Sequence, residues 1–359
     1  MNAALHRGVA PESLDQLQAD LLSLLKDLPD REHGPLIAQA LETLVRIAHT
    51  ETDRLDWKIL VGSLQDMQRA FAIFHPYRHT RKIAIFGSAR TLASEPEYQM
   101  AQSVARCMSQ QGFMVMTGAG GGIMAAANQG AGRSASFGLN VHLPFEQTAN
   151  PFIEGDSKLL QFKYFFTRKL FFLRETDGVI VFPGGFGTLD EAFECLTLTQ
   201  TGKFGPAPIV LVDHPGGHYW QDWDHYVRQQ LVQKHLISPA DPSLYTITDR
   251  LDIACGAITH FYRVYHSSRY VRDQFVIRLK VELSDEDVAI LNDCFSDILT
   301  QDQIRKSTAL PAELGDGTEA LPRLVLYFNQ RSVGRLYQML EQINHMGSLK
   351  PEQIHPEHK

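Results

Sequence analysis

Cysteine is scarce in this chain. The four present, Cys107, Cys195, Cys255 and Cys294, show no CxxC spacing, so a zinc ribbon or a disulfide framework is not expected and free thiols are. Positive charge is in deficit as well. Lys and Arg number 34 against 41 Asp and Glu, a net charge of −7 with pI near 6.1. That balance argues against a nucleic-acid partner but leaves room for a local basic pocket. No apolar run approaches the roughly 18 residues of a membrane span. The opening MNAALHRGVAPESLDQ lacks the apolar stretch of a signal peptide. A cytoplasmic protein without membrane partners is the expectation. There is no GxxxxGK[ST] loop, so ATP hydrolysis of the P-loop kind is not indicated. Nor is there an identifiable Schiff-base lysine with a pyridine-nitrogen partner, as a pyridoxal enzyme needs. No metal or redox cofactor is implied.

What is present suits a globular protein: 359 residues, 44% hydrophobic and 21% charged, enough for two or three domains. Residues 1–80 carry helical stripes. Leu14, Leu17, Leu21, Leu24 and Leu25 make one, Leu36, Ala40, Leu41 and Leu44 a second, and Leu60, Leu64, Met67 and Phe71 a third. This segment reads as a helical cap on the main domain or on another subunit. Strands then alternate with helices over 81–250. Strands are predicted at 83–86, 113–116, 138–143, 179–182 and 208–212, and helices at 96–110, 123–131 and 219–233. The pattern gives an α/β fold, a Rossmann-like doubly wound parallel sheet with ligands at the strand C-terminal ends. The loop 144–158, with Glu146, Asn150 and Pro151, is long enough to line a site and is expected to cover the substrate. Residues 251–359 read as a helix to position 265 followed by a small α/β unit: strands at 275–281 and 324–328, helices at 284–299 and 333–345. Ser284 caps the first of these helices. His345 and His355 read as surface residues rather than ligands, and the tail PEQIHPEHK as disordered.

The chemistry-bearing stretch is KYFFTRKLFFLRETDGVIVFPGGFGTLDEAFE, from Lys163 to Glu194. Val179 to Phe182 suit a strand buried on both faces. Gly184, Gly185 and Gly187 let the backbone turn and approach a ligand, and Thr188 opens the next helix, whose free N–H groups favour a phosphate. Taken alone, Asp190 and Glu191 read as complements to the helix dipole. A second glycine loop, with Gly120, Gly121 and Gly122, opens the helix at 123–131 and reads as another phosphate seat. A GxGxxA match there is weak, since the loop follows the second strand and no acidic residue ends the next one.

PGGFGTLDE resembles the PGGxGTxxE signature of the LOG ("Lonely Guy") family, once labelled "lysine decarboxylase". Arg168-Lys169 resembles the family's upstream Arg-Lys pair, and 23 positions separate Arg168 from Glu191. FGSAR, TGAGGGIMAAANQGA and GLNVHLPFEQ extend the resemblance over about 82–213. It implies a phosphoribohydrolase that cleaves the N-glycosidic bond of nucleoside 5′-monophosphates, AMP or a cytokinin ribotide, to base and ribose 5-phosphate. It assigns catalysis to Glu191 and Arg168. Gly87, Ser88, Arg90, Asn128 and Lys169 are further candidate contacts. It also implies a homodimer or higher homo-oligomer. The sequence departs from the family's GGGPGIMEAAN, with Ala119 for Gly, Gly121 for Pro and Ala125 for Glu. Molybdenum-cofactor carriers resemble the same family, so a non-hydrolytic nucleotide or cofactor binder is the alternative.

Overall fold

The computed structural model describes residues 33–141 and 148–346, together with positions 16, 19, 20 and 23. The first leucine stripe, Glu146, His355 and the C-terminal tail lie outside the described residues. Two compact units divide between Gln65 and Asp66.

The first unit holds α1 (Gly34–Ala48), opened by Pro35, and the start of α2 (Arg54–Phe74). The predicted third stripe is not the buried one. Leu64 and Phe71 are 46% and 48% exposed, while Asp66, Ala70 and Phe74 are buried. A buried acid displaces the apolar stripe because it caps another element, described below.

In the second unit the chain runs β1 (Lys82–Phe86), α3 (Pro96–Gln110), β2 (Met114–Thr117), α4 (Ile123–Ala131), β3 (Ser136–Val141), β4 (Leu159–Phe162), α5 (Phe165–Glu175), β5 (Val179–Val181), α6 (Phe186–Gln200), β6 (Ile209–Val212), α7 (Tyr219–Tyr226), β7 (Tyr245–Thr248) and α8 (Leu251–Phe261). The sheet order is β4-β3-β2-β1-β5-β6-β7, all parallel. Alternate strand residues serve opposite faces. Ile83, Ile85, Ile180, Phe182 and Val210 pack under α3, α4 and α8. Ala84, Phe86, Val179, Val181 and Leu211 pack with Phe74, Phe171 and Trp220 on the other side. Burying a side chain of this size is worth about 2–3 kcal/mol. The doubly wound sheet expected from the alternation is present. The strands β4 and β7 were not anticipated, because both are short edge strands.

The chain continues through β8 (Tyr265–Val271), β9 (Gln274–Leu279), α9 (Asp285–Phe295), β10 (Arg305–Ser307), β11 (Arg323–Leu326) and α10 (Val333–His345). These form a four-stranded antiparallel sheet, order β10-β11-β9-β8. The predicted two strands are thus four. The predicted helix to 265 ends at Phe261, and α8 puts Ala254, Cys255 and Ile258 into the parallel sheet's core. Ser284 caps α9 as expected, its hydroxyl accepting from the Asp287 N–H. Within the module Glu313, fully buried, joins Arg278 and Arg323. Tyr337 ties the module to the chain ahead of β6, exchanging hydrogen bonds with the Ala207 N–H and carbonyl at 3.0 and 2.9 Å.

Candidate active site

Successive strands step outward from β1 to β4, and the chain then returns to place β5 on β1's other side. The order reverses between β1 and β5, which is where open parallel sheets form a crevice at their C-terminal ends. A cleft of about 710 Å³ lies there, lined by residues 86–90, 118, 124, 165, 168 and 185–191.

The turn after β5 is built to leave donors free. Phe182 N–H donates to Phe86 O at 2.8 Å, and the Ser88 N–H donates to Pro183 O at 3.1 Å, so the β1 and β5 loops are knitted together. Gly184 admits no side chain, since a Cβ would meet Thr188 Oγ1 at 2.2 Å. Tyr219 Oη donates to its carbonyl at 2.7 Å. Helix α6 starts at Phe186, two residues ahead of the predicted start, with Gly185 as its cap. The Thr188 and Leu189 N–H groups both donate to Gly185 O. The N–H groups of Phe186 and Gly187 precede any intrahelical acceptor and stand at the cleft. Phe186 is 94% exposed on its rim.

Glu191 follows one turn into α6, on the buried side. Arg168 comes from α5 and places Nη2 3.3 Å from Glu191 Oε1. The guanidinium is flanked by the Phe165 and Phe172 rings, at 5.6 and 5.5 Å, and its Nε is buried without a hydrogen bond. Lys169 sits among Asp190, Glu191 and Glu194 at 2.7, 3.8 and 2.8 Å. It is a half-buried member of a charge network and does not line the cleft, where it was expected as a contact. Burial pushes the Glu191 carboxyl up from its ordinary value, more than Arg168 and Lys169 pull it down. Burial lowers Arg168, partly offset by Glu191. For Lys169 burial acts downward, but the bonds to Asp190 and Glu194 prevail and raise it.

Helix α5 is itself positioned from a distance. Asp66, on α2, accepts from the Lys163 N–H at 3.0 Å, the Tyr164 N–H at 3.3 Å and Thr167 Oγ1 at 2.7 Å. It caps the helix in place of the N-cap residue, Tyr164, whose side chain makes no capping bond.

Several predicted site residues stand elsewhere. Gly120 and Gly122 are buried, and neither they nor the exposed Gly121 line the cleft. Gly122 has φ 60, and a Cβ there would meet Ser88 O at 2.2 Å. The Ile123 N–H at the start of α4 donates to Ser88 O at 3.0 Å. This turn therefore seats the β1 loop. Asn128 is fully buried, so it neither reaches a ligand nor faces solvent. Its Oδ1 accepts from Thr117 Oγ1 and from Asn150 Nδ2, both at 2.9 Å. Asn150 also donates to the carbonyls of Ala119 and Gly120. The described part of the long loop thus braces the turn. Ser88 and Arg90 do line the cleft, as does Gly87, whose Cβ would meet Ile123 at 2.7 Å. Phe165, Phe186, Met124 and Gly118 join the lining without having been singled out as contacts. A clue existed for Gly118 in its place directly after β2.

The sheet and its crevice define a Rossmann-like α/β domain. Residues 122–257 match the family model described as "Possible lysine decarboxylase", the label once given to the LOG family that the motifs resemble. No curated protein matches the chain. Among solved structures it is similar to the molybdenum cofactor binding protein from Rippkaea orientalis, at 16% identity over 48% of this chain and 91% of that one, with a TM-score of 0.36. It is similar also to the molybdenum cofactor carrier protein from Chlamydomonas reinhardtii, at 17% identity, 50% and 96% coverage and a TM-score of 0.35. A third is the protein TM1055, at 21% identity, 47% and 91% coverage and a TM-score of 0.34.

Proposed function

We propose that the chain is a nucleoside 5′-monophosphate phosphoribohydrolase. The supporting observation is the Arg168–Glu191 pair, 3.3 Å apart in a cleft that also carries the open start of α6. The 5′-phosphate sits on the Phe186 and Gly187 N–H groups, with the helix dipole behind them. Glu191 then faces the ribose C1′. As the bond to the base breaks, positive charge grows on C1′ and the ring oxygen, and the carboxylate stabilises it and orients the attacking water. Arg168 offers the remaining donors of its terminal Nη groups to phosphate or ribose hydroxyl and holds the carboxylate in place. The exposed faces of Phe165, Phe166, Leu170 and Phe71 support a homodimer built on this side of the molecule.

Incubation with AMP, GMP, CMP, UMP and a cytokinin ribotide, followed by analysis for free base and ribose 5-phosphate, tests the proposal. AMP is expected to be hydrolysed where adenosine is not, since the phosphate holds C1′ against Glu191. Binding without release of base from any of the five would overturn it in favour of a nucleotide or cofactor binder. That second reading draws on Ala125, which stands where the family pattern has a glutamate.

A further inference from the structure

The C-terminal module meets the parallel sheet where α8 and α10 lie side by side, beside a second cleft of about 840 Å³. Three metal-ligating side chains converge on its wall. His260 comes from α8, and Glu341 and His345 from α10, with one donor atom of each within 4.8 Å of the others. His260 Nε2 is 3.3 Å from Glu341 Oε1, and His345 Nδ1, 3.5 Å from the same oxygen, donates to the Glu341 carbonyl at 2.9 Å, which leaves Nε2 as that ring's lone pair. The two imidazoles stand edge to face with centroids 4.6 Å apart. Glu341 and His345 are separated by one helical turn, so both project on one face. His260 Nε2 is enclosed yet makes no hydrogen bond of good geometry, despite the carboxylate beside it. In the tautomer that leaves Nε2 unprotonated, this nitrogen and the carboxylate face each other as two electron-pair donors, an arrangement that a shared cation satisfies.

We propose that His260, Glu341 and His345 bind a divalent transition cation of the zinc class. Two imidazoles and one carboxylate make an N₂O donor set, which suits zinc and its neighbours and not magnesium, which prefers an all-oxygen shell. Three protein ligands would leave a fourth position for solvent or an added ligand. The ligands come from both helices, so the ion would fasten the C-terminal module to the helix that covers the parallel sheet. The site lies apart from the Arg168–Glu191 cleft and shares no lining residue with it.

The test is calorimetric titration of the chelator-stripped full chain with Zn²⁺ and, separately, with Mg²⁺, paired with thermal melts. Wild type is expected to take up Zn²⁺ with a rise in Tm, and Mg²⁺ to give neither signal. His260→Ala and His345→Ala should each weaken Zn²⁺ binding by about tenfold or more and remove the rise in Tm. Comparison with the variants isolates this site from the chain's other histidines. Glu341→Gln keeps the side-chain shape and should show the same loss, which decides the matter if a histidine variant does not fold. Unchanged Zn²⁺ affinity in the folded variants, or an equal response to Mg²⁺, would overturn the proposal.

Discussion

The turn after β2 and the turn after β5 are both rich in glycine, and both open a helix at the same end of the parallel sheet. Their backbone polar groups go to different places. After β2, the Ile123 N–H is taken by Ser88 O, and the carbonyls of Ala119 and Gly120 are taken by Asn150. After β5, the Phe186 and Gly187 N–H groups open on the cleft. One turn uses the absence of side chains to let protein approach protein. The other leaves its donors on an open cleft, where the proposed ligand would approach. Glycine content is the same signal for both, and only the destination of each N–H separates them.

The largest expected effect lies at the open turn. Glu191→Gln should slow base release by about 10³-fold while melting near wild type, since Gln still offers Arg168 an acceptor. A rate within about threefold of wild type would remove Glu191 from the chemistry. A glycine exchange tests the contrast itself. Gly122→Ala forces a methyl against Ser88 O at a left-handed position, and should cost about 2 kcal/mol or more, read as a lower urea midpoint. Gly187→Ala meets no atom within 4 Å and should leave the midpoint unchanged while raising KM several-fold. The reverse pattern would mean that the two turns have exchanged roles. Arg168→Ala should weaken ribose 5-phosphate binding by about tenfold, and Arg168→Lys should not restore it, because an ammonium lacks the planar fork. Unchanged affinity in a calorimetric titration would take Arg168 away from the ligand.

The smallest effect is on pH dependence. Burial raises the Glu191 carboxyl, so its anion is lost at a higher pH than in a free glutamate. The acid limb of kcat/KM should therefore fall above pH 4.5, the ordinary value. Lys169 lowers Glu191, so Lys169→Met should move that limb to still higher pH. A shift downward would show that Lys169 acts by some route other than its charge.

The central strands and the Arg168–Glu191 pair were legible because each announces itself locally, as an apolar run or as a motif. The edge strands were not. Residues 245–248 bury little beyond Thr248, and β8, YHSSRYV, is fully buried only at Tyr265, where the predicted helix ends. The role of the 118–122 turn was hidden for another reason. What its backbone meets depends on the strand order that lays β2 against β1, and no spacing in the sequence carries that. Asn128 misled similarly, since its polar side chain on a loop-opening helix is buried by Thr117 and Asn150. His345 read correctly as lying at the surface, but its neighbour His260 belongs to a different helix.

The cap on α5 bears on how this protein can be divided. Asp66 is borrowed from α2, so the arginine's helix begins under a carboxylate that lies far upstream. A fragment cut at residue 80, where the helical segment gives way to the sheet, would keep every motif of the cleft and lose this anchor. The amides of Lys163 and Tyr164 and the Thr167 hydroxyl would turn to water, and the first turn of α5, one step before Arg168, would fray. The smallest autonomous piece that keeps the arginine in register therefore begins upstream of Asp66, inside a helix that contributes no atom to the cleft.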